Sequence, residues 1–134
     1  MIALKISVKN KLLLSSILLF VGVANAQSTK KDLVLGKWLF YEFTDSDATP
    51  EQQKVIDDGN KTNKGLIITF SPGNKFKSEL KGGLKENNVQ GNFKLLKNDQ
   101  IVMLKDTFKI ITLDNVYLKL YRDDSSPIAV FKRL

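Results

Sequence analysis

Apolar and polar residues alternate along most of the chain after residue 35, as they do in β-strands that bury one face. Turn-forming residues interrupt the alternation at short intervals, for example at Ser71–Asn74 (SPGN) and Lys97–Asp99 (KND). The pattern gives eight short strands with mostly short connections, which is typical of an antiparallel sandwich or a closed up-and-down barrel. We favour the barrel because closure leaves no unpaired strand edge. The sequence therefore predicts an all-β domain over residues 35–134, a small eight-stranded antiparallel up-and-down barrel.

One segment breaks the alternation, the polar stretch over residues 45–64 between the first two predicted strands. Residues 49–52 (TPEQ) supply an N-cap, a proline at the first helical position and the glutamine of a capping box. A Gly-Asn pair at residues 59–60 can end the helix, so we expect about two turns with Val55 and Ile56 as apolar anchors. Such a short, polar helix is not a core element, and we expect it to act as a lid over one end of the barrel.

The chain begins with the features of a secretory signal peptide. Three lysines lie among the first eleven residues, a mostly apolar stretch covers residues 12–23, and Ala24-Asn25-Ala26 supplies small residues for cleavage. A membrane anchor is the alternative, but the apolar stretch is too short to cross a bilayer as a helix. We therefore expect a signal peptide at residues 1–26, cleavage after Ala26, and a flexible leader at residues 27–34. The protein would be secreted or periplasmic, with no stable membrane anchor once the signal is removed.

The amino-acid composition excludes several kinds of catalytic and metal-binding site. The chain has no cysteine and no histidine, which excludes disulfides, thiolate nucleophiles, cysteine-based zinc sites and histidine-based catalytic triads. The net charge is +7, but the lysines are spread singly along strands rather than clustered, so we expect no nucleic-acid partner. Asp45, Asp47 and Glu51 resemble part of a calcium loop but lack its further oxygen ligand and central glycine, so we expect no metal. No acid–base constellation stands out, and we expect neither an enzyme nor a cofactor.

The alternation assigns a mostly aromatic and aliphatic set of side chains to the barrel interior. The predicted ligand-binding residues are Phe40, Glu42, Ile68, Phe70, Phe76, Phe93, Met103 and Phe108. Glu42 alternates onto the Trp38 side of the first strand, where it either anchors a polar ligand group or is solvated at the barrel mouth. The same alternation assigns Val89, Ile128 and Val130 to the interior. An eight-stranded barrel is wide enough either to hold one small ligand or to be filled by its own side chains.

Two glycine motifs carry a resemblance to a known family. Gly36-Lys37-Trp38 opens the first predicted strand, and Gly91-Asn92-Phe93 lies in a strand near the middle of the chain. With the lid-like connection and a basic residue near the chain end, the sequence resembles the lipocalin superfamily, and most closely the short bacterial exported lipocalin-like domain proteins. The resemblance implies that Gly36, Trp38 and Arg133 are structural, with Trp38 closing one end of the barrel and Lys132 or Arg133 lying across its indole ring.

The sequence departs from the family at one motif. Thr112-Leu113-Asp114-Asn115 keeps only the aspartate of the lipocalin Thr-Asp-Tyr motif, and the chain lacks the C-terminal helix. Our first hypothesis is an exported lipocalin-like barrel that binds a small hydrophobic molecule in its interior under the helical lid. The alternative is a barrel with a filled interior that binds a protein partner through its loops or outer face, as an inhibitor or immunity factor does. A third alternative is a weak hydrolase or isomerase built on the barrel.

Overall fold

The computed structural model describes residues 31–80, 82, 88–122 and 127–134. The predicted signal peptide and residues 27–30 of the predicted leader lie outside the described residues. The chain divides into two units, Met1–Asp32 and Leu33–Leu134, and the second unit is the barrel. Within the described ranges, no helix is long and apolar enough to cross a membrane.

Eight antiparallel strands form a closed barrel, in which each strand pairs with the next along the chain and the last pairs with the first. The strands are β1 (Gly36–Thr44), β2 (Leu66–Ser71), β3 (Lys75–Leu80), β4 (Val89–Leu96), β5 (Gln100–Met103), β6 (Asp106–Leu113), β7 (Tyr117–Tyr121) and β8 (Ile128–Arg133). One helix, α1 (Pro50–Thr62), connects β1 to β2. The prediction of an all-β up-and-down barrel with a helix between the first two strands is therefore confirmed.

The helix begins where the sequence predicts but ends later. The Thr49 hydroxyl accepts a hydrogen bond from the Gln52 amide (3.2 Å), and the Gln52 side chain accepts one from the Thr49 amide (2.9 Å), which confirms the capping box. The helix has 13 residues instead of about two turns, because the predicted stop at residues 59–60 lies inside it. There Gly59 packs against the Phe43 ring, where an added Cβ would lie 3.2 Å from two ring carbons. This contact with β1 explains why a glycine is accommodated inside the helix.

The barrel has two different ends, which the strand pairing defines. β1 runs from the closed end, where Gly36 pairs with Phe70, to the helix end, where Thr44 pairs with Ile128. The most deeply buried large side chains extend from the closed end to the middle of the barrel. They are Trp38, Phe70, Ile101, Leu118 and Val34.

A β-bulge in β1 changes which side chains enter the barrel. Phe40 pairs with Phe131 and Glu42 with Val130, so one extra residue, Tyr41, lies between the two pairs. Beyond the bulge the alternation is reversed, and Phe43 joins Phe40 in the interior with ring centroids 4.8 Å apart. The prediction that Glu42 shares the inner face is therefore wrong: Glu42 faces outward and is half-buried.

The phase of the last strand also differs from the prediction. Leu118 and Leu120 of β7 belong to the core, and they pair with Phe131 and Ala129 of β8. Because directly paired residues share a face, Ala129 and Phe131 point inward, and Ile128 and Val130 point outward. Phe131 packs against Phe40 at 5.7 Å between ring centroids. Val89 lies on the inner face through its pairing with Ser78, as predicted, but it is exposed because it is the first residue of β4.

Candidate functional site

The closed end is built around Trp38, whose side chain is fully buried. Its indole Nε1 donates a hydrogen bond to the Val34 carbonyl at 2.8 Å, so the one polar atom of the ring is satisfied inside the core. The Arg133 guanidinium lies over the ring, 4.1 Å from its centroid. Of the two basic residues that the resemblance suggests for this contact, the structure places Arg133 on Trp38. Lys132 lies instead on the outer wall, 3.6 Å from the Tyr41 centroid.

Arg133 ties three segments of chain together at this end. Its guanidinium donates to the Leu35 carbonyl at 2.9 Å and to the Leu33 carbonyl, and its Nε donates to the Asn115 carbonyl at 3.2 Å. Gly36 lies between these groups with φ +122°, and an added Cβ would be 3.0 Å from the guanidinium. A side chain at residue 36 would therefore be strained and would crowd Arg133.

These contacts show that the barrel begins earlier than the sequence suggests. Val34 is fully buried in the core cluster, and the Leu33 carbonyl accepts from Arg133. Both residues belong to the predicted flexible leader, residues 27–34. The barrel therefore includes Leu33 and Val34, which the prediction assigned to the leader. The polar leader sequence ends before Leu33, and the two residues that follow it cover the closed end.

Three inward-facing apolar side chains near α1 are only partly covered. Phe43, Leu66 and Phe108 pack against the core cluster and are half-buried. Leu35, Leu95 and Leu113, toward the closed end, are half-buried as well, so partial exposure occurs at both ends of the barrel. The helix end is distinguished by α1, which lies beside its accessible apolar surface.

The helix is attached to the barrel through a small set of contacts. Ile56 is its buried residue, Gly59 packs on the Phe43 ring, and the Asn60 side chain accepts from the Phe43 amide at 2.6 Å and donates to the Phe43 carbonyl at 3.5 Å. Val55 is 72% exposed, so its prediction as a second anchor is wrong. One residue step rotates a helix by about 100°, which turns Val55 toward solvent when Ile56 faces the barrel.

The predicted ligand-binding residues divide into three groups. Phe108 is half-buried at the helix end, and Glu42 is on the outer face. The other six are each at most 8% exposed and belong to the core cluster: Phe40, Ile68, Phe70, Phe76, Phe93 and Met103. These six pack largely on one another, as Phe70 and Phe93 do edge to face at 5.0 Å between centroids. These six residues therefore belong to the packed core of the barrel.

Sequence reasoning missed Leu104, which lies at the turn between β5 and β6. Its φ is +55°, a conformation that is unfavourable for a leucine, and its side chain is 56% exposed. An added Cβ on Gly91 would lie 2.8 Å from the Leu104 Cδ2 and 3.3 Å from the Phe76 ring. Leu104 therefore reaches over an inward-facing glycine of β4. The glycine of the Gly-x-Phe motif makes room for that side chain.

Acidic residues near the helix and at the closed end have structural roles. Asp45 accepts from the Asp47 amide at 3.0 Å, which forms a turn ahead of α1. Asp114 accepts from the Tyr117 amide at 2.7 Å and the Val116 amide at 2.8 Å, and these two hydrogen bonds hold the pKa of its carboxyl below its ordinary value. Among residues whose placement the structure describes, no three histidine, cysteine or carboxylate side chains converge as a metal site would require.

The similarity between this chain and known proteins is weak. No protein-family model matches this chain, and no curated protein matches it. Among solved structures, the chain is similar to a DUF4847 family protein from Bacteroides vulgatus, with 13% sequence identity and a TM-score of 0.46. The match covers 78% of this chain and 96% of that one. A likeness of this size carries no argument about what the chain binds.

Proposed function

We propose that the protein binds a small apolar molecule at the helix end of its barrel. The observation that carries the proposal is that the inward-facing side chains Phe43, Leu66 and Phe108 are half-buried at the end of the barrel where a helix is attached by few buried contacts. Removing apolar surface from water lowers the free energy by about 25 cal/mol for each Å². A ligand that covers these three side chains would gain that free energy on binding.

The attachment of α1 supports its role as a lid. Ile56, Gly59 and Asn60 face the barrel, and most other helix residues are exposed. A helix held by so few buried apolar contacts opens at a lower free energy than a core strand does. Such opening gives a ligand a route to the half-buried side chains beneath the helix.

The packing at the closed end limits the size of the ligand. Trp38 and Leu118 are fully buried there, and the Phe70–Phe93 and Phe40–Phe131 ring pairs occupy the middle of the barrel. The proposed ligand is therefore shallow and small, and it contacts the core without penetrating it. A filled interior favours the alternative in which the barrel binds a protein. Protein binding would require a contact surface on the outside of the barrel.

We further propose that the chain is exported and cleaved after Ala26. The basic residues, the apolar stretch at residues 12–23 and the small residues Ala24 and Ala26 support this proposal. Intact-mass measurement of protein expressed in a bacterial host tests it. We expect a mature chain that starts at Gln27, and a chain that retains residues 1–26 would contradict the proposal.

Binding of the fluorescent apolar probe N-phenyl-1-naphthylamine tests the ligand proposal. Leu66→Gln changes a half-buried, inward-facing side chain at the helix end, and Leu96→Gln is the matched control on the outer face near the closed end. Loss of one leucine contact worth about 1.4 kcal/mol weakens binding about tenfold. We expect that loss for Leu66→Gln and less than a twofold change for Leu96→Gln. Saturable binding that both variants weaken equally, or no binding, would contradict the proposal.

A further inference from the structure

A second surface, on the outer wall of β1, β8 and β7, has a composition that the ligand proposal does not use. Four side chains define it, Tyr41, Tyr117, Lys119 and Lys132, and we refer to them as the Tyr–Lys face. We infer that the Tyr–Lys face docks an acidic segment of a partner protein. The inference is independent of the helix end, because it rests on outward-facing residues.

The lysines of this face are held by aromatic rings. The Lys132 ammonium lies 3.6 Å from the Tyr41 centroid and 5.8 Å from the Tyr117 centroid, and the Lys119 ammonium lies 5.5 Å from the Tyr117 centroid. Contacts of this kind attract a cation to the ring face without neutralising its charge. In the part of the chain that the structure describes, neither lysine forms an ion pair with a carboxylate. Both ammonium groups therefore keep their capacity to bind an anion.

The strand pairing brings these residues into a compact patch. Tyr117 pairs directly with Lys132, and Lys119 follows Tyr117 two residues later on the same outer face of β7. Tyr41 reaches Lys132 from the other side as the extra residue of the β1 bulge, and it is 54% exposed. Because the rings hold the lysines in place, less side-chain freedom is lost on binding than at an ordinary surface lysine.

Exposed apolar side chains surround the patch and favour a protein as its partner. Ile111, the extra residue of the β6 bulge, lies beside the β7 segment that contains Lys119 and is 46% exposed. Val116 and Leu134 are also exposed, one beside Tyr117 in the chain and the other just after β8. Tyrosine is enriched at protein interfaces, and the exposed aliphatic side chains give a protein partner apolar area to bury. A glycan or a lipid headgroup is polar and would not bury the aliphatic side chains.

Charge decides which kind of protein segment fits. Lys109, Lys119 and Lys132 lie outward on three neighbouring strands. Two carboxylates offset part of this charge, Glu42 on the outer face of β1 and Asp114, which the Lys119 charge reaches. The patch is therefore positive, and a segment with several aspartate or glutamate side chains complements it. Apolar residues between those acids would contact Tyr41 and Ile111.

Fluorescence anisotropy with a labelled peptide in which glutamate alternates with leucine tests the inference. The double variant Lys119→Gln/Lys132→Gln removes two charges from the Tyr–Lys face, and Lys75→Gln/Lys94→Gln removes two from exposed positions on β3 and β4. At low salt we expect the first variant to weaken peptide binding at least tenfold and the second by less than twofold. Equal weakening by both variants would show general charge attraction and overturn the inference.

A second pair of variants tests whether the aromatic rings hold the lysines. Tyr41→Phe keeps the ring under Lys132, and Tyr41→Leu removes it, at an exposed position where neither change disrupts the core. We expect the phenylalanine variant to bind the peptide within twofold of wild type and the leucine variant about fivefold more weakly. Dextran sulfate or phosphatidylglycerol vesicles that bind more tightly than the peptide, with the same dependence on Lys119 and Lys132, would overturn the inference in favour of a glycan or a membrane.

Discussion

Replacing Trp38 with alanine should destabilise the barrel strongly. The indole is fully buried at the closed end, donates to the Val34 carbonyl and lies under the Arg133 guanidinium. Truncation of a buried tryptophan costs about 3–5 kcal/mol, because apolar contacts are lost and a cavity remains. That loss includes the hydrogen bond, worth about 1 kcal/mol, and the cation–π contact, worth about 0.5–2 kcal/mol.

The expected loss is a large fraction of the total free energy of unfolding of such a domain. The free energy of unfolding of a single domain is about 5–15 kcal/mol, so Trp38→Ala should remove roughly a fifth or more of the total. With a denaturant slope of about 2 kcal/mol per M in urea, the unfolding midpoint should fall by about 2 M. Tyr41→Ala is the matched control on the same strand, and we expect it to cost less than about 1 kcal/mol because Tyr41 is half exposed.

Far-ultraviolet circular dichroism in urea is the appropriate assay. Trp38 is the one tryptophan of the chain, so its fluorescence reports on the wild type but is absent from the variant. Circular dichroism follows the strands in both. A loss below about 1 kcal/mol for Trp38→Ala would refute the reasoning, since it would mean that the indole is not packed as the closed end requires.

Three further predictions concern other parts of the barrel. Gly36→Ala should lower the free energy of unfolding by about 1–3 kcal/mol in urea melts, because φ is +122° and the added Cβ meets Arg133; an unchanged midpoint would contradict this. Leu104→Asn should raise the free energy of unfolding by about 0.5–1 kcal/mol in urea melts, because asparagine tolerates a positive φ better than leucine; a lower midpoint would contradict this. Asp114→Asn should lower the thermal midpoint more at pH 7 than at pH 2, because a carboxyl whose pKa is lowered by folding stabilises the protein above its ordinary pKa and loses that effect as pH falls through its folded pKa. Equal losses at both pH values would mean that the charge of Asp114 has no role.

The strands could be predicted from the sequence because their signals are local. Alternation identifies a strand from its own residues, and turn residues such as those at 71–74 end it without reference to any partner. The capping box before α1 is equally local, and the helix begins where it predicts. Gly-x-Trp and the last basic pair also indicate the closed end, although the choice of Arg133 over Lys132 depends on the register between β1 and β8.

The predictions that the structure contradicts depend on contacts between segments that are far apart in the chain. The bulge at Tyr41 arises from pairing with β8 and is not visible in β1 alone, so Glu42 and Phe43 exchanged faces relative to the prediction. The helix continues through Gly59 because Phe43 packs there, a tertiary contact that outweighs a local stop signal. How far a barrel interior is filled depends on side-chain packing in three dimensions, which alternation does not specify.

The central claim is that an apolar ligand binds at the helix end, and intermolecular nuclear Overhauser effects to a bound probe test it most directly. With N-phenyl-1-naphthylamine bound to the isotope-labelled protein, we expect contacts from the probe to Leu66, Phe43 and Phe108, and shifts in the amides of α1. Contacts confined to the outer wall around Tyr41 and Tyr117, or no saturable binding at all, would contradict the claim.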